Sequence, residues 1–329
     1  MDRTAAIALS FCTRLSAPER RLLLDIFPGR ESLLQRSAAE CAELLGKRLP
    51  ADWRPPSNYV ERAEQIVRTL DRCKIGLLVY GEEQYPAALR ELYAPPFLLY
   101  LRGKLPGEEH ERVAMVGTRK PCTDGRAAAF SMAAELVLSG VCVVSGLAYG
   151  IDGASHWGAV RYGGRTVAVL AHGVDAVYPG GHKELAAGIL RSGGGLVSEY
   201  APGTKPRRYH FPERNRLISG LCRGTVIVQA PAKSGALITA DYALEQGRDV
   251  WVHRAGLAGE CGAGTERLRE EGAAVAEHAE DILGEWYEQP ISVRLREVRD
   301  GEMTKATMLE EELEGRVTRF AGRSFRRAG

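Results

Sequence analysis

The chain has 329 residues, 45% hydrophobic and 26% charged, with 44 Lys and Arg against 42 Asp and Glu for a net charge of +2. That is globular composition of roughly two domains' length, which excludes a wholly disordered or collagen-like chain and can build a core without staples. The near-neutral balance excludes a uniformly basic coat for nucleic acid, though not a local basic patch.

Seven cysteines, an odd number with no CxxC spacing, argue against a disulfide framework or zinc ribbon and fit reduced thiols. The N-terminus lacks the long apolar region and small-residue cleavage site of a leader, and no window reaches the roughly 18–20 apolar residues of a membrane span. A soluble cytoplasmic protein is expected.

Residues 1–75 read as a small helical module. Ser16-Ala-Pro-Glu19 has the form of a capping box with Pro in the first turn, and Val60, Ala63, Ile66, Val67 and Leu70 lie on one helical face. Such a module can bind nucleic acid or serve as a spacer or interaction domain. Residues 76–287 change character. Short continuous β-branched runs at 113–116, 141–144, 166–170, 195–197, 225–228 and 249–252 predict strands buried on both faces. Helical stretches at 125–138, 152–162, 183–190, 214–221 and 236–246 lie between them, so a parallel α/β sheet is expected. Residues 288–329 lose the pattern. An acidic stretch at 310–314 is followed by Arg316, Arg319, Arg323, Arg326 and Arg327, and a charged tail, partly disordered or short helical, is expected.

Ligands of a parallel sheet bind outside the carboxyl ends of its strands. Three of those ends carry small or polar residues that open into a helix: Gly117-Thr118-Arg119, Ser145-Gly146 and Lys233-Ser234-Gly235. Small residues admit close backbone approach, helix N-termini favour anions, and Arg offers a fork suited to phosphate. An anion-binding groove is expected. The chain carries no P-loop, no dinucleotide fingerprint, no HExxH, no EF-hand and no nucleophile elbow, so no cofactor, metal or catalytic residue is assigned. Asp152, Asp175, Glu199 and Asp241 suit either acid–base work or helix capping, and His172 and His253 suit either a site or a structural hydrogen bond.

Between 205 and 216 five cations, Lys205, Arg207, Arg208, Arg214 and Arg216, face Glu213 alone, interleaved with Tyr209 and Phe211. Cations for phosphates and rings for bases are what a single-strand surface needs. The alternative is a solvated loop. Arg214, Leu217, Ile218 and Leu221 share a helical face that points Arg214 toward the strand edge.

Six motifs occur together: VGTR at 116–119, SGLAYGID at 145–152, VLAHG at 169–173 with Tyr178-Pro179, Ser198-Glu199, FPERNRLISGL at 211–221 and SGALIT at 234–239. On these residues the chain resembles the bacterial DNA-processing protein family, DprA. The resemblance implies an extended Rossmann-like, mostly parallel sheet with helices on both faces behind a sterile-alpha-motif-like helical domain. It implies binding of single-stranded DNA, protection of incoming DNA in natural transformation, loading of the recombinase RecA, a homodimer through the Rossmann-like domain, and no catalytic activity. It assigns Arg119 to phosphate binding and the basic and aromatic residues at and before Phe211, with Asn215 inside the motif, to the DNA pocket. Lys183 is a further candidate. Two departures stand out: His253-Arg254 where relatives carry Pro-Gly, and Glu266 where they carry Asn, an acid expected to weaken phosphate contact at the sheet edge. The rivals are a nucleotide hydrolase of the lysine-decarboxylase-like type and a scaffold that binds no DNA.

Overall fold

A computed structural model of the chain describes residues 2–27, 29–257, 259–288, 295–298, 305–320 and 322–327. It divides into two compact units, and the boundary expected at residue 75 falls inside the first. The first unit holds Met1–Arg102 with two returning segments, Leu170–Ala176 and Val197–Arg207. The second holds Gly103–Val169, Val177–Leu196 and Arg208–Gly329.

In the first unit, α1 (Arg3–Ser10), α2 (Ala17–Ile26), α3 (Arg30–Leu34), α4 (Ala38–Leu44) and α5 (Val60–Cys73) follow one another. Ser16 with Glu19 and Ser37 with Glu40 form capping boxes on α2 and α4, supplying acceptors for backbone N–H groups that a helix start leaves unpaired. The α5 stripe buries Ala63, Ile66 and Leu70, and Lys74 ends the helix in the left-handed region at φ 52°. A hairpin of β1 (Gly76–Val79) and β2 (Leu98–Gly103), with α6 (Ala87–Arg90) between, pairs antiparallel from Gly76↔Leu101 to Val79↔Leu98.

The second unit alternates strand and helix: β3 (Arg112–Gly117), α7 (Thr123–Leu138), β4 (Cys142–Ser145), α8 (Ile151–Arg161), β5 (Thr166–Val169) and α9 (Lys183–Arg191). Next come β6 (Gly195–Ser198), whose last two residues count with the first unit, α10 (His210–Gly220), β7 (Gly224–Gln229), α11 (Gly235–Glu245) and β8 (Asp249–His253). It closes with α12 (Ala263–Glu270), β9 (Ala274–Ala276) and α13 (Ala279–Trp286). Within this unit the strands run parallel in the order β5-β4-β3-β7-β8-β9. Val113, Met115, Val143, Val226 and Val228 pack with residues of α7, α8 and α13. The intervening Ala114, Val116, Val144 and Ile227 are equally buried, so the period-two alternation aims them at the opposite face. This is why the strands read as unbroken apolar runs. The fold is the mostly parallel, Rossmann-like α/β architecture expected.

The region 288–329 differs from the expected charged tail. Its described residues form β10 (Leu295–Val298), α14 (Lys305–Leu313), β11 (Val317–Phe320) and β12 (Arg323–Arg327), the strands pairing antiparallel in the order β10-β12-β11. Residues 289–294, 299–304, 321 and 328–329 of that stretch lie outside the described residues. The strands escape a sequence reading because β11 and β12 each present few apolar residues, chiefly Val317 and Phe325, to a core. Phe325 joins the cluster of Phe130 and Ala127 of α7, with the Phe130 ring stacked on Phe320 at 4.3 Å and tilted against Phe325 at 5.4 Å. Arg316 pairs with Glu311 and Arg319 with Glu312, each at 3.2 Å, while Arg323 pairs with Asp124. These arginines are therefore balanced by local acids.

His156 of α8 is fully buried, with Nδ1 2.7 Å from Thr166 Oγ1. Burial pushes its pKa from 6.5 down to about 3, and that of His253 down to about 4. The unfolded chain takes up these protons near pH 6.5 and the folded chain does not. Stability is then full well above pH 6.5 and falls by about 1.4 kcal/mol per unit as pH drops, toward about 4 for His253 and toward about 3 for His156. Denaturant unfolding at pH 7.5 and pH 5 checks this. His156→Asn should lose part of the pH dependence.

Candidate functional site

The carboxyl ends of β3 and β7 in the second unit open onto a cavity of about 640 Å³. Gly117, Thr118, Arg119 and Lys120 form one wall, Phe211, Pro212, Arg214 and Asn215 of α10 a second, and Lys233, Ser234 and Gly235 a third. The first wall exists because Gly117 has no side chain. A Cβ there would stand 2.5 Å from Ile151 Cγ1 and 2.7 Å from Gln229 O. Thr118 N donates to Gln229 O at 2.7 Å, and Lys120 N donates to Thr118 Oγ1 at 3.2 Å, so the turn after β3 is held from both sides. Arg119 and Lys120 project from it exposed. The Arg119 guanidinium lies over the Phe211 ring, 5.0 Å from its centroid, a cation–π pair at the cavity mouth.

On the third wall Ser234 caps α11, its Oγ accepting from Ala236 N at 3.2 Å. Asn215 Nδ2 donates to Gly235 O at 3.2 Å and ties α10 to the same turn. Lys233 stands exposed beside it. Three exposed cations around a helix start and a ring make a surface for a phosphate chain with a flat apolar group next to it.

The floor is different. Arg214 is 4% exposed, and its guanidinium donates to Gly146 O at 2.9 Å and to Val169 O. A Cβ at Gly146 would meet both terminal nitrogens of Arg214 and Oδ2 of Asp152 at 2.7 Å, so the acid and the arginine share one glycine. Asp152 also accepts from Ala148 N at 3.3 Å. Burial raises its carboxyl above the ordinary value, against the pull of Arg214.

The candidates divide accordingly. Gly117, Thr118, Arg119, Phe211, Asn215, Lys233, Ser234 and Gly235 come together at the cavity. Arg214 reaches it, but as a buried tie between backbone carbonyls rather than an open cation. Ser145 and Gly146 are buried behind the lining. Ser145 Oγ donates to Met115 O at 2.6 Å, and the Arg214 guanidinium fills the space over Gly146, so neither offers a ligand nest. Arg208 and Lys183 are exposed outside the lining, and Arg216 also lies outside it. Lys205 and Arg207 belong to the first unit, where they line a cavity of about 630 Å³ with Arg62 of α5. Glu266 is on α12 outside the first cavity and bonds Arg269 at 2.6 Å, so its charge is neutralised next to it rather than set against a phosphate. His172 and His253 make local structural bonds, to Gly173 O and from Ala255 N. Lys120 was missed although it adjoins Arg119. Cys261, brought in by the turn before α12, had no local signal.

Comparison with known proteins agrees with this picture. Residues 76–287 match the model of the family described as DNA recombination-mediator protein A. The chain is 38% identical over 218 residues to the DNA processing protein DprA of Bacillus subtilis, covering 66% of this chain and 73% of that one. The crystal structure of DNA processing protein A from Streptococcus pneumoniae superposes with a TM-score of 0.69 at 32% identity, over 86% of this chain and 97% of that one. A structure of the Helicobacter pylori protein, concerned with its single-stranded DNA binding mode, superposes with a TM-score of 0.57 at 26% identity, over 65% and 95% of the two chains.

The two cavity arginines should separate in an unfolding experiment. Arg214→Leu leaves Asp152 buried without its partner and should cost about 3–5 kcal/mol of stability. Arg119→Ala removes an exposed side chain and should change it by about 0.5 kcal/mol or less. Urea titrations of both variants read the difference.

Proposed function

This chain belongs to the DNA recombination-mediator protein A family of DNA-processing proteins, and we propose that it binds single-stranded DNA, as a homodimer and without catalysis. In this reading it protects incoming strands in the cytoplasm and hands them to the recombinase RecA during recombination and transformation. The observation that carries the DNA reading is the Arg119–Phe211 pair at the mouth of a cavity whose other rim bears Lys233 and the start of α11. Phosphates would lie against Arg119, Lys120, Lys233 and the Ser234-Gly235 turn, and one base against Phe211. Single-stranded rather than duplex DNA is favoured because the ring is reached only by a base free to leave its stack. The absence of catalysis is supported by how the candidate reacting groups are used. The Ser234 hydroxyl caps a helix, and the Asp152 carboxylate sits against Arg214. Among the described residues no helix is long and apolar enough to cross a membrane.

Fluorescence anisotropy of labelled poly-dT beside a duplex of equal length tests the reading. Affinity should favour the single strand and fall with salt, with a log–log slope of about −0.7 for each phosphate contacted. Arg119→Ala should weaken binding by about 1.5–3 kcal/mol, the worth of a charge-assisted hydrogen bond. Binding that ignores salt, or an Arg119→Ala variant of unchanged affinity, would remove the cavity from the DNA path. Release of free base from a nucleotide would instead favour the hydrolase.

A further inference from the structure

Two tyrosines near the cavity have no part in the site so far. Tyr149 is 51% exposed and Tyr178 47% exposed, and neither lines the cavity. Both belong to the second unit, and both are held in place by what surrounds them. The Tyr178 ring lies 6.1 Å from that of Phe211, inclined at 54°, so it continues outward from the Arg119–Phe211 pair. Four residues on, at the end of the short turn Gly180–His182, the His182 ring meets Tyr149 edge to face at 4.8 Å and 75°. His182 is fixed in turn, its Nδ1 2.9 Å from Leu147 O. A Cβ at Gly181 would stand 2.8 Å from the Tyr149 hydroxyl, so that tyrosine reaches across the turn. The next residue, Gly150, abuts the arginine turn, since a Cβ there would stand 2.3 Å from Thr118 O and 2.8 Å from Arg119 Cα. The chain from 178 to 182 thus links two ring pairs, Phe211 with Tyr178 and His182 with Tyr149, into an arc that begins under Arg119 and ends one residue before the glycine that abuts its turn.

Scattered exposed apolar residues need no explanation. Exposed rings set out from an arginine proposed to hold phosphate have a specific use, because any unpaired base presents a π-face to stack on. We infer that Tyr178 and Tyr149 are two base-stacking positions outside the cavity, taking unpaired bases of the strand whose phosphates are held at Arg119. The inference rests on the proposed single-strand function and extends it: the cavity supplies phosphate contacts and the arc supplies base contacts.

The experiment compares wild type with Tyr178→Ala, Tyr178→Phe, Tyr149→Ala and Tyr149→Phe on two ligands. One is a dT oligonucleotide and the other an oligonucleotide of equal length with abasic positions in its middle. Each alanine variant should bind the dT ligand roughly tenfold more weakly, the lower part of the range for a lost base–aromatic stack. Each phenylalanine variant should stay near wild type. All five proteins should bind the abasic ligand alike and keep the same salt slope. A 2-aminopurine base in the strand should be quenched on binding by wild type and less so by the alanine variants. Alanine variants with wild-type affinity and quenching would overturn the inference. So would an equal loss on both ligands, which would make the tyrosines supports of the fold, or a changed oligomeric state with unchanged DNA affinity, which would make the arc a protein interface. Absence of any wild-type binding would overturn the single-strand reading and this one with it, a result distinct from all of these.

Discussion

The geometry of the cavity depends on one buried guanidinium. Arg214 enters from α10 and donates to Gly146 O, just past β4, and to Val169 O, the last residue of β5, while Asp152 at the start of α8 lies against it. Two strand ends and two helices are joined by one side chain. A buried arginine is costly unless it is compensated, and here two backbone carbonyls accept from its Nη1 while the nearby Asp152 charge interacts favourably with it. With Arg214 fixed, the preceding turn of α10 is fixed, and that turn presents Phe211 beneath Arg119. Gly146 has to be glycine for the same reason, since any side chain would occupy the guanidinium's place.

Charge is organised locally rather than globally. A net of +2 over 329 residues leaves little long-range field for attracting a polyanion. The cavity compensates by gathering exposed cations around a helix start while its one carboxylate is held against Arg214. Elsewhere the positive charges are spent on local pairs. Three of the C-terminal arginines that look like a basic tail, Arg316, Arg319 and Arg323, bond Glu311, Glu312 and Asp124, and Glu266 is matched by Arg269. The small sheet that carries the arginines is anchored through Phe320 and Phe325 on Phe130, which makes it part of the second unit rather than a free appendage.

The parallel strands β3 to β7 were legible because each is buried on both faces, and continuous Val-rich runs are what such burial requires, whereas the short, partly exposed β9 left no such run. Starts of helices were legible where capping is local: Ser16 with Glu19 is a four-residue pattern. The hairpin of β1 and β2 was not, because its two short strands are separated by residues 80–97, and the C-terminal strands were not, because their apolar residues are too few for a period to emerge. At the site, the glycine turn with Arg119 and the aromatic Phe211 stood out from spacing alone. The role of Arg214 did not. Its place on an apolar helical stripe announced that it points inward, but the carbonyls it would meet come from 68 and 45 residues earlier.

By itself, then, the sequence determined the α/β class, the order of the strands along the chain and the residue types available at their ends, because these follow from local periodicity and from turns of a few residues. The tertiary structure alone decided which basic residues are ligands and which are supports. It placed Arg119 and Lys233 in the open, Arg214 in the floor, and Lys205 and Arg207 in another unit. The reason is physical: a cation's function depends on whether water or protein carbonyls surround it, and those surroundings are assembled from segments that only folding brings together.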